Sequence, residues 1–381
     1  MKEKIKELLN FKEKYHISNY KFSLVALVTV LSVIGVLVVG SAAPALQGKQ
    51  IMGVILGIIV MVVLSLIDYK FILKFVWALY ILNIILLVAV HFFGVESHGA
   101  VRWLDLGIFQ FQPSDLTKII LILFFAKFFT DRKEEITTKR TIIEAVLLIV
   151  PSLVLILKQP NLSNTICISL LFCIMFYLAG LSYKFIGRFL LIVIPVLTIL
   201  FVIAIQPNQK LFHGYQQNRI LAWIHPEDYA TEEAYQQNNS VMAIGSGQLT
   251  GKGYNNNTTT SVKNGNFLSE PQTDFIFAII GEELGFVGCC VVLILLLLIV
   301  VECTMVGMRS SNFAGRMICG GVAALIGAQT MINICVATRL FPNTGLSLPF
   351  VSYGLTSIVC FYMGIGFVLN VGLQSNKLNE E

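Results

Sequence analysis

Apolar runs long enough to cross a bilayer recur along almost the whole 381-residue chain, and this repetition decides what it can fold into. Inside hydrocarbon a backbone must satisfy its own polar groups, which leaves helices as the spanning element for runs of this length. The balance of residues agrees: 56% are apolar and 13% charged, whereas a soluble domain carries about a quarter charged residues. The chain therefore reads as an all-α, polytopic transmembrane helical bundle, one domain over residues 1–381.

Ten runs are expected to span: Phe22–Val39, Ile51–Ile67, Phe75–Phe93, Leu116–Phe129, Ile142–Leu157, Thr165–Leu181, Phe189–Ile205, Asp274–Val301, Met317–Val336 and Leu348–Val371. The first is followed by Gly40-Ser-Ala-Ala-Pro-Ala45, which could pass for a signal cleavage site. Its apolar core is too long for one, so it reads as an uncleaved span. Basic residues sort by side. With a cytoplasmic N-terminus, the inner loops hold the lysines of the basic segment 1–21, then Lys70, Lys74, Arg132, Lys133, Lys139, Arg140, Lys184, Arg188, Arg309 and Arg316. The tail 372–381 adds Lys377, and fewer cations fall outside. The positive-inside rule then puts both termini in the cytoplasm and a large loop, residues 206–273, outside between spans seven and eight.

Several chemistries lack their residues. All eight cysteines sit inside apolar runs, so no disulfide framework is expected. The five histidines are scattered and form no zinc-binding spacing. No nucleic-acid partner is expected. Gly53 and Gly57 read as ordinary close packing between helices. Residues 94–114 are short, mixed in polarity and carry Trp103, which suggests a half-helix or re-entrant segment.

Polar clusters share the outer side: Arg102, then Asp115 with Lys118 on one helix face, then Arg219, then Glu270, Asp274, Glu282 and Glu283. Ionisable residues at membrane depth are expensive and point to function. Asp274 lies where the polar loop meets an apolar run. Taken alone it reads first as a helix cap. If the helix began there, Glu282 would lie about 12 Å further along the axis, too far for a carboxylate dyad.

Ordered along the chain are Gly99-Ala-Val-Arg-Trp-Leu104, Phe111-Gln-Pro-Ser-Asp-Leu-Thr-Lys118, Lys158-Gln-Pro-Asn161, Asn218-Arg-Ile220, Ala243-Ile-Gly-Ser-Gly247, Gly251-Lys-Gly253, Thr273-Asp-Phe-Ile-Phe-Ala278, Gly281-Glu-Glu-Leu-Gly285 and Pro349-Phe-Val-Ser-Tyr-Gly354. In this set, over residues 25–372, the chain resembles the SEDS family (shape, elongation, division and sporulation) that includes RodA, FtsW and SpoVE. The resemblance implies ten helices, a large outer loop and peptidoglycan glycosyltransferase activity on lipid II. It gives Asp274 the role of the family's essential aspartate. It also places Arg102, Gln112, Lys118, Arg219 and Glu282 at substrate-binding positions. Asp115 stands where Glu is usual and Asn161 where Asp is usual, so Asn161 is assigned no catalytic role. The stretch Asn264–Glu270 leans to the RodA-like elongation branch.

The expected reaction joins lipid II units and releases undecaprenyl pyrophosphate, with a divalent cation as a conceivable cofactor and a class B penicillin-binding protein as partner. The expected location is the bacterial plasma membrane, with the active site facing outward. Two other readings stand beside it: a lipid II flippase, against which the nearly charge-free middle and inner halves of the spans count, and a non-catalytic scaffold for the transpeptidase.

Overall fold

A computed structural model describes residues 19–374, apart from 98–99, 106, 108–109, 160, 182–186, 188–190, 192–194, 196–197, 200, 204, 207–213, 230–232, 256–260, 262–266 and 269. The chain is mostly helical. It opens with α1 (Phe22–Ala42), α2 (Pro44–Leu66), the short α3 (Tyr69–Lys74) and α4 (Val76–Phe93). Three short strands follow: β1 (Val95–Ser97), β2 (Ala100–Asp105) and β3 (Gln110–Phe111). Then come α5 (Pro113–Asp131), α6 (Lys139–Lys158) and α7 (Leu162–Leu178). The polar loop carries α8 (Gly214–Ile224) and α9 (Glu233–Ser246). Three long helices complete the described chain: α10 (Ile276–Arg309), α11 (Phe313–Ala337) and α12 (Leu355–Leu373).

Local chemistry sets these boundaries. Pro44 and Pro113 open α2 and α5 at positions where a missing N–H costs nothing. The side chains of Thr138, Asn161 and Asn312 accept hydrogen bonds from the first-turn amides of α6, α7 and α11. Among the described residues seven helices are long and apolar enough to cross a membrane: α1, α2, α4, α6, α10, α11 and α12. The apolar α7 has 17 residues. The expected seventh span, Phe189–Ile205, lies mostly outside the described residues.

The centre of the bundle is α5, α12 and the first turns of α10, whose side chains are mostly buried, together with α11, which is two-thirds buried. Around them α1, α2, α4 and α6 bury one stripe and expose apolar side chains outward, as lipid-facing helices do. α5 joins α7 through edge-to-face rings, Phe125 to Phe172 at 4.9 Å and Phe129 to Phe176 at 4.7 Å. α2 lies directly on α12. A Cβ at Gly57 would stand 2.3 Å from the Tyr362 ring, so the close approach needs glycine there.

Two expectations are corrected. Residues 94–114 are not a half-helix. They form an antiparallel sheet in the order β1-β2-β3, with Val95 opposite Trp103 and Leu104 opposite Phe111. Extended backbone survives here because the strands hydrogen-bond one another and close onto the helix ends. Thr356, in the first turn of α12, donates to the Gln110 carbonyl and accepts from the Gln112 amide. The second correction concerns Asp274, which is not on a helix. The turn 271–275 precedes α10, which starts at Ile276, so the helical rise assumed between Asp274 and Glu282 does not hold.

α10 is itself broken. Gly285 has φ 67° and ψ −165°, a conformation open to glycine. The segment 248–253 crosses the break and supplies what the helix loses. The amides of Lys252 and Gly253 donate to the carbonyls of Glu282 and Glu283, and those of Phe286 and Val287 donate to Gln248 and Leu249. The Glu282 carboxylate, 1% exposed as a side chain, then pairs with Lys252 Nζ at 2.8 Å and accepts from Ser261 Oγ at 3.2 Å. Ser41, at the end of α1, donates to Glu283.

Candidate active site

A cavity of about 290 Å³ opens where β2, the starts of α5 and α7, α8, the turn 271–275 and the connection between α11 and α12 meet. Its wall is polar and charged. Arg102, Arg219, Asp115, Glu270 and Asp274 all line it.

Asp274 is held by its backbone. Asn333, buried on α11, donates from Nδ2 to the Asp274 carbonyl at 2.9 Å and to the Leu346 carbonyl at 2.6 Å. One amide thus ties the aspartate turn to the loop facing it. Ser352 Oγ donates to the Thr273 carbonyl at 2.6 Å, and the Tyr353 amide donates to Gln272 at 2.8 Å. Across the gap stands Gly345, with φ 72°; a Cβ there would come within 3.0 Å of Asp274 Oδ2. The carboxylate therefore lies against a backbone that only glycine leaves open.

The two arginines come from different elements. Arg102 projects from β2, and its Nε donates to the Gln159 carbonyl at 3.3 Å. Arg219 projects from α8, and its Nη1 donates to the Asn343 carbonyl at 3.3 Å. The strands and the loop helices thus deliver the cationic part of the site, while the α10 approach delivers the carboxylate. Gln112 lines the cavity between β3 and α5.

Lys118 lies lower. Its side chain is 2% exposed and does not line the cavity. Nζ bonds Asp115 Oδ1 at 2.9 Å and Gln329 Oε1 at 3.1 Å. Gln329 Nε2 donates on to the Ser347 carbonyl at 3.0 Å, and Ser347 Oγ meets Ser357 Oγ at 3.0 Å. Lys118 thus reaches the cavity only through Asp115 and Gln329, which do line it. Glu282 lies outside the cavity, in its ion pair with Lys252. Of the residues singled out in the sequence, Arg102, Gln112, Arg219 and Asp274 come together, Lys118 sits beneath them, and Glu282 stands apart. Asn164, Gln329, Asn333 and Ser347 carry no motif signal beyond being polar residues in or beside apolar runs.

The family model for cell cycle proteins of the FtsW, RodA and SpoVE type matches residues 15–377. The chain belongs to this family. Among its relatives, the peptidoglycan glycosyltransferase MrdB of Escherichia coli strain K12 is 33% identical over 373 residues, 97% of each chain. A probable peptidoglycan glycosyltransferase FtsW of Geobacter sulfurreducens is 31% identical over 385 residues, 96% of this chain and 98% of that one. Among solved structures, a chain from a peptidoglycan synthase complex that coordinates polymerization and crosslinking superposes with a TM-score of 0.78 at 28% identity, covering 94% of this chain and 99% of that one. The rod shape determining protein RodA of Thermus thermophilus gives a TM-score of 0.70 at 26% identity, covering 94% and 98%. As a family member this chain is a multi-pass membrane protein, and the cavity gathers four of the residues that the family resemblance had assigned, Arg102, Gln112, Arg219 and Asp274, but not Lys118 or Glu282.

Proposed function

We propose that this chain is a peptidoglycan glycosyltransferase that polymerises lipid II into glycan strands, with Asp274 as general base. Asp274 takes the proton of the acceptor sugar hydroxyl. That oxygen bonds to the anomeric carbon of the donor, the bond to the donor's phosphate breaks, and undecaprenyl pyrophosphate leaves with the electron pair. Such proton transfer contributes about 10²–10⁴-fold. Arg102 and Arg219 on the same wall offset the charge that grows on the departing pyrophosphate. The observation that carries the reading is the placement of Asp274. A carboxylate whose backbone is fixed by Asn333, Ser352 and Tyr353 shares one cavity with two guanidinium groups.

Lys118 acts here as a positioning residue that holds Asp115 and Gln329 under the cavity. Glu282 serves the reaction indirectly, by docking the loop segment onto the broken α10. Among the described residues no cluster of three or more His, Cys, Asp or Glu side chains could hold a metal ion. A divalent cation in the reaction would therefore rely on pyrophosphate oxygens as well, and polymerisation with and without EDTA tests that requirement. The arrangement we propose has ten spans, counting α5, α7 and the run 189–205 with the seven long apolar helices. Both termini are cytoplasmic and the cavity opens to the outside of the bacterial plasma membrane. The partner we propose is a class B penicillin-binding protein, in keeping with the likeness to a synthase complex. The test is polymerisation of lipid II by purified protein, alone and with the transpeptidase. Asp274→Asn should abolish polymer. Full yield from that variant removes the assignment.

A further inference from the structure

One stretch of backbone, the bend that follows α11, touches both kinds of charge in the candidate site. Asn343 accepts from Arg219 Nη1 at 3.3 Å, and Gly345 lies against the Asp274 carboxylate. What holds this bend comes from the outer loop. Gln237, 2% exposed on α9, donates from Nε2 to the Val336 carbonyl at 3.0 Å and to the Phe341 carbonyl at 2.8 Å, so one amide clamps the helix end to the loop. Ser240, buried a turn further on, donates to the Ala337 carbonyl at 2.7 Å, and Trp223 Nε1 of α8 donates to the Arg339 carbonyl at 3.2 Å. Carbonyls at a helix end lack intrahelical donors, and here α8 and α9 supply them.

The bend is strained where these contacts surround it. The amides of Arg339 and Leu340 return to the carbonyls of Val336 and Cys335 at 3.0 and 2.7 Å, a helix ending whose left-handed position usually belongs to glycine. Arg339 takes that position instead, with φ 60°. A side chain there costs energy that glycine would not. What Arg339 adds is a bond from Nη1 to Asn238 Oδ1 at 2.8 Å, a further tie to α9. Strain held by surrounding contacts beside a site points to a bend kept for its position. We propose that Gln237 is a positioning residue: through the bend 336–341 it sets where Arg219 and Asp274 stand relative to each other, although it does not itself line the cavity. This role rests on the glycosyltransferase reading, whereas the clamp itself can be tested without it.

Gln237→Met keeps the length of the side chain and removes both hydrogen bonds. Full-length protein in nanodiscs is followed in two arms, tryptic cleavage of the Arg339–Leu340 bond and lipid II polymerisation. Cleavage needs local opening, so a released bend should be cut several times faster. In the same variant kcat should fall about tenfold, short of the roughly hundredfold that a misplacement near 1 Å can cost. A merely structural role lowers the rate by the same factor in any background. Positioning through Arg219 predicts that Gln237→Met costs little more once Arg219→Lys has given up the fork that reaches Asn343. Arg339→Gly is the second variant: relief of the left-handed strain should keep or raise the melting temperature, while loss of the Asn238 bond lowers kcat by a smaller factor. Faster cleavage with wild-type kcat, or equal factors in both backgrounds, overturns the positioning role, and unchanged cleavage overturns the clamp. If Gln237→Met does not fold, a stable Arg339→Gly with wild-type kcat overturns the role. A wild-type chain that makes no polymer sinks the glycosyltransferase reading, and cleavage then judges the clamp alone.

Discussion

At Gly345 a single atom separates fold from chemistry. The left-handed backbone there would cost a side-chain-bearing residue about 1–2 kcal/mol, and an added Cβ would meet Asp274 Oδ2 at 3.0 Å. Gly345→Ala should lower thermal stability only modestly. Its polymerisation rate should fall by less than the roughly hundredfold that a misplacement near 1 Å can cost, because the carboxylate need give way by only a fraction of that. Comparing melting temperature with initial rate checks it, and a variant as active as wild type shows the carboxylate is not held there. None of this was legible in the residues alone. Asp274 read first as a helix cap, and only the ordered family motifs raised it. The sequence could not show that α10 starts two residues later, nor that Asn333, almost sixty positions away, holds the aspartate's carbonyl. Such long-range bonds leave no local pattern.

At the scale of elements, apolar periodicity located the helices well and missed what interrupts them. The strands over 95–111 are too short for their alternation to register, and Trp103 drew the reading toward an interfacial helix. The break at Gly285 was hidden inside an unbroken apolar run, although the Gly-rich stretch 245–253 that fills it was visible as a motif. The Lys252–Glu282 pair fastens that stretch. Lys252→Met leaves Glu282 buried without its cation, and removal of one partner from a buried pair costs roughly 3–5 kcal/mol. The loss here should fall at or below the lower end, because Lys252 is 27% exposed and Ser261 still donates. A lowered melting temperature, partly restored by Lys252→Met with Glu282→Gln, is the expected outcome. The pair Asp115–Lys118 joins α5 to α11 through Gln329 and is more deeply buried. Lys118→Met should destabilise by about 3–5 kcal/mol, and adding Asp115→Asn should recover part of the stability but not the activity. Recovery of both would mean that the polar chain beneath the cavity only holds the helices together.

For the whole molecule, the sequence speaks most directly about sidedness, through a charge bias rather than through packing. Each cytoplasmic Lys or Arg resists translocation, so the segment between α5 and α6, with Arg132 and Lys133, should stay inside together with Lys139 and Arg140 at the start of α6. The loop bearing α8 and α9 should then face out, together with Arg219 and the cavity. The chemistry needs that arrangement, because the product strand must accumulate outside the membrane while the lipid carrier stays in it. Single cysteines report on it. Glu134, next to the inner cations, and Glu227, between α8 and α9, are both exposed. The native thiols all lie in helices read as spans, where a membrane-impermeant maleimide reacts poorly. In intact cells Glu227→Cys should label and Glu134→Cys should label only after lysis. The reverse pattern would turn the cavity toward the cytoplasm, where Asp274 could not extend a strand in the wall, and would move the flippase reading ahead of the polymerase.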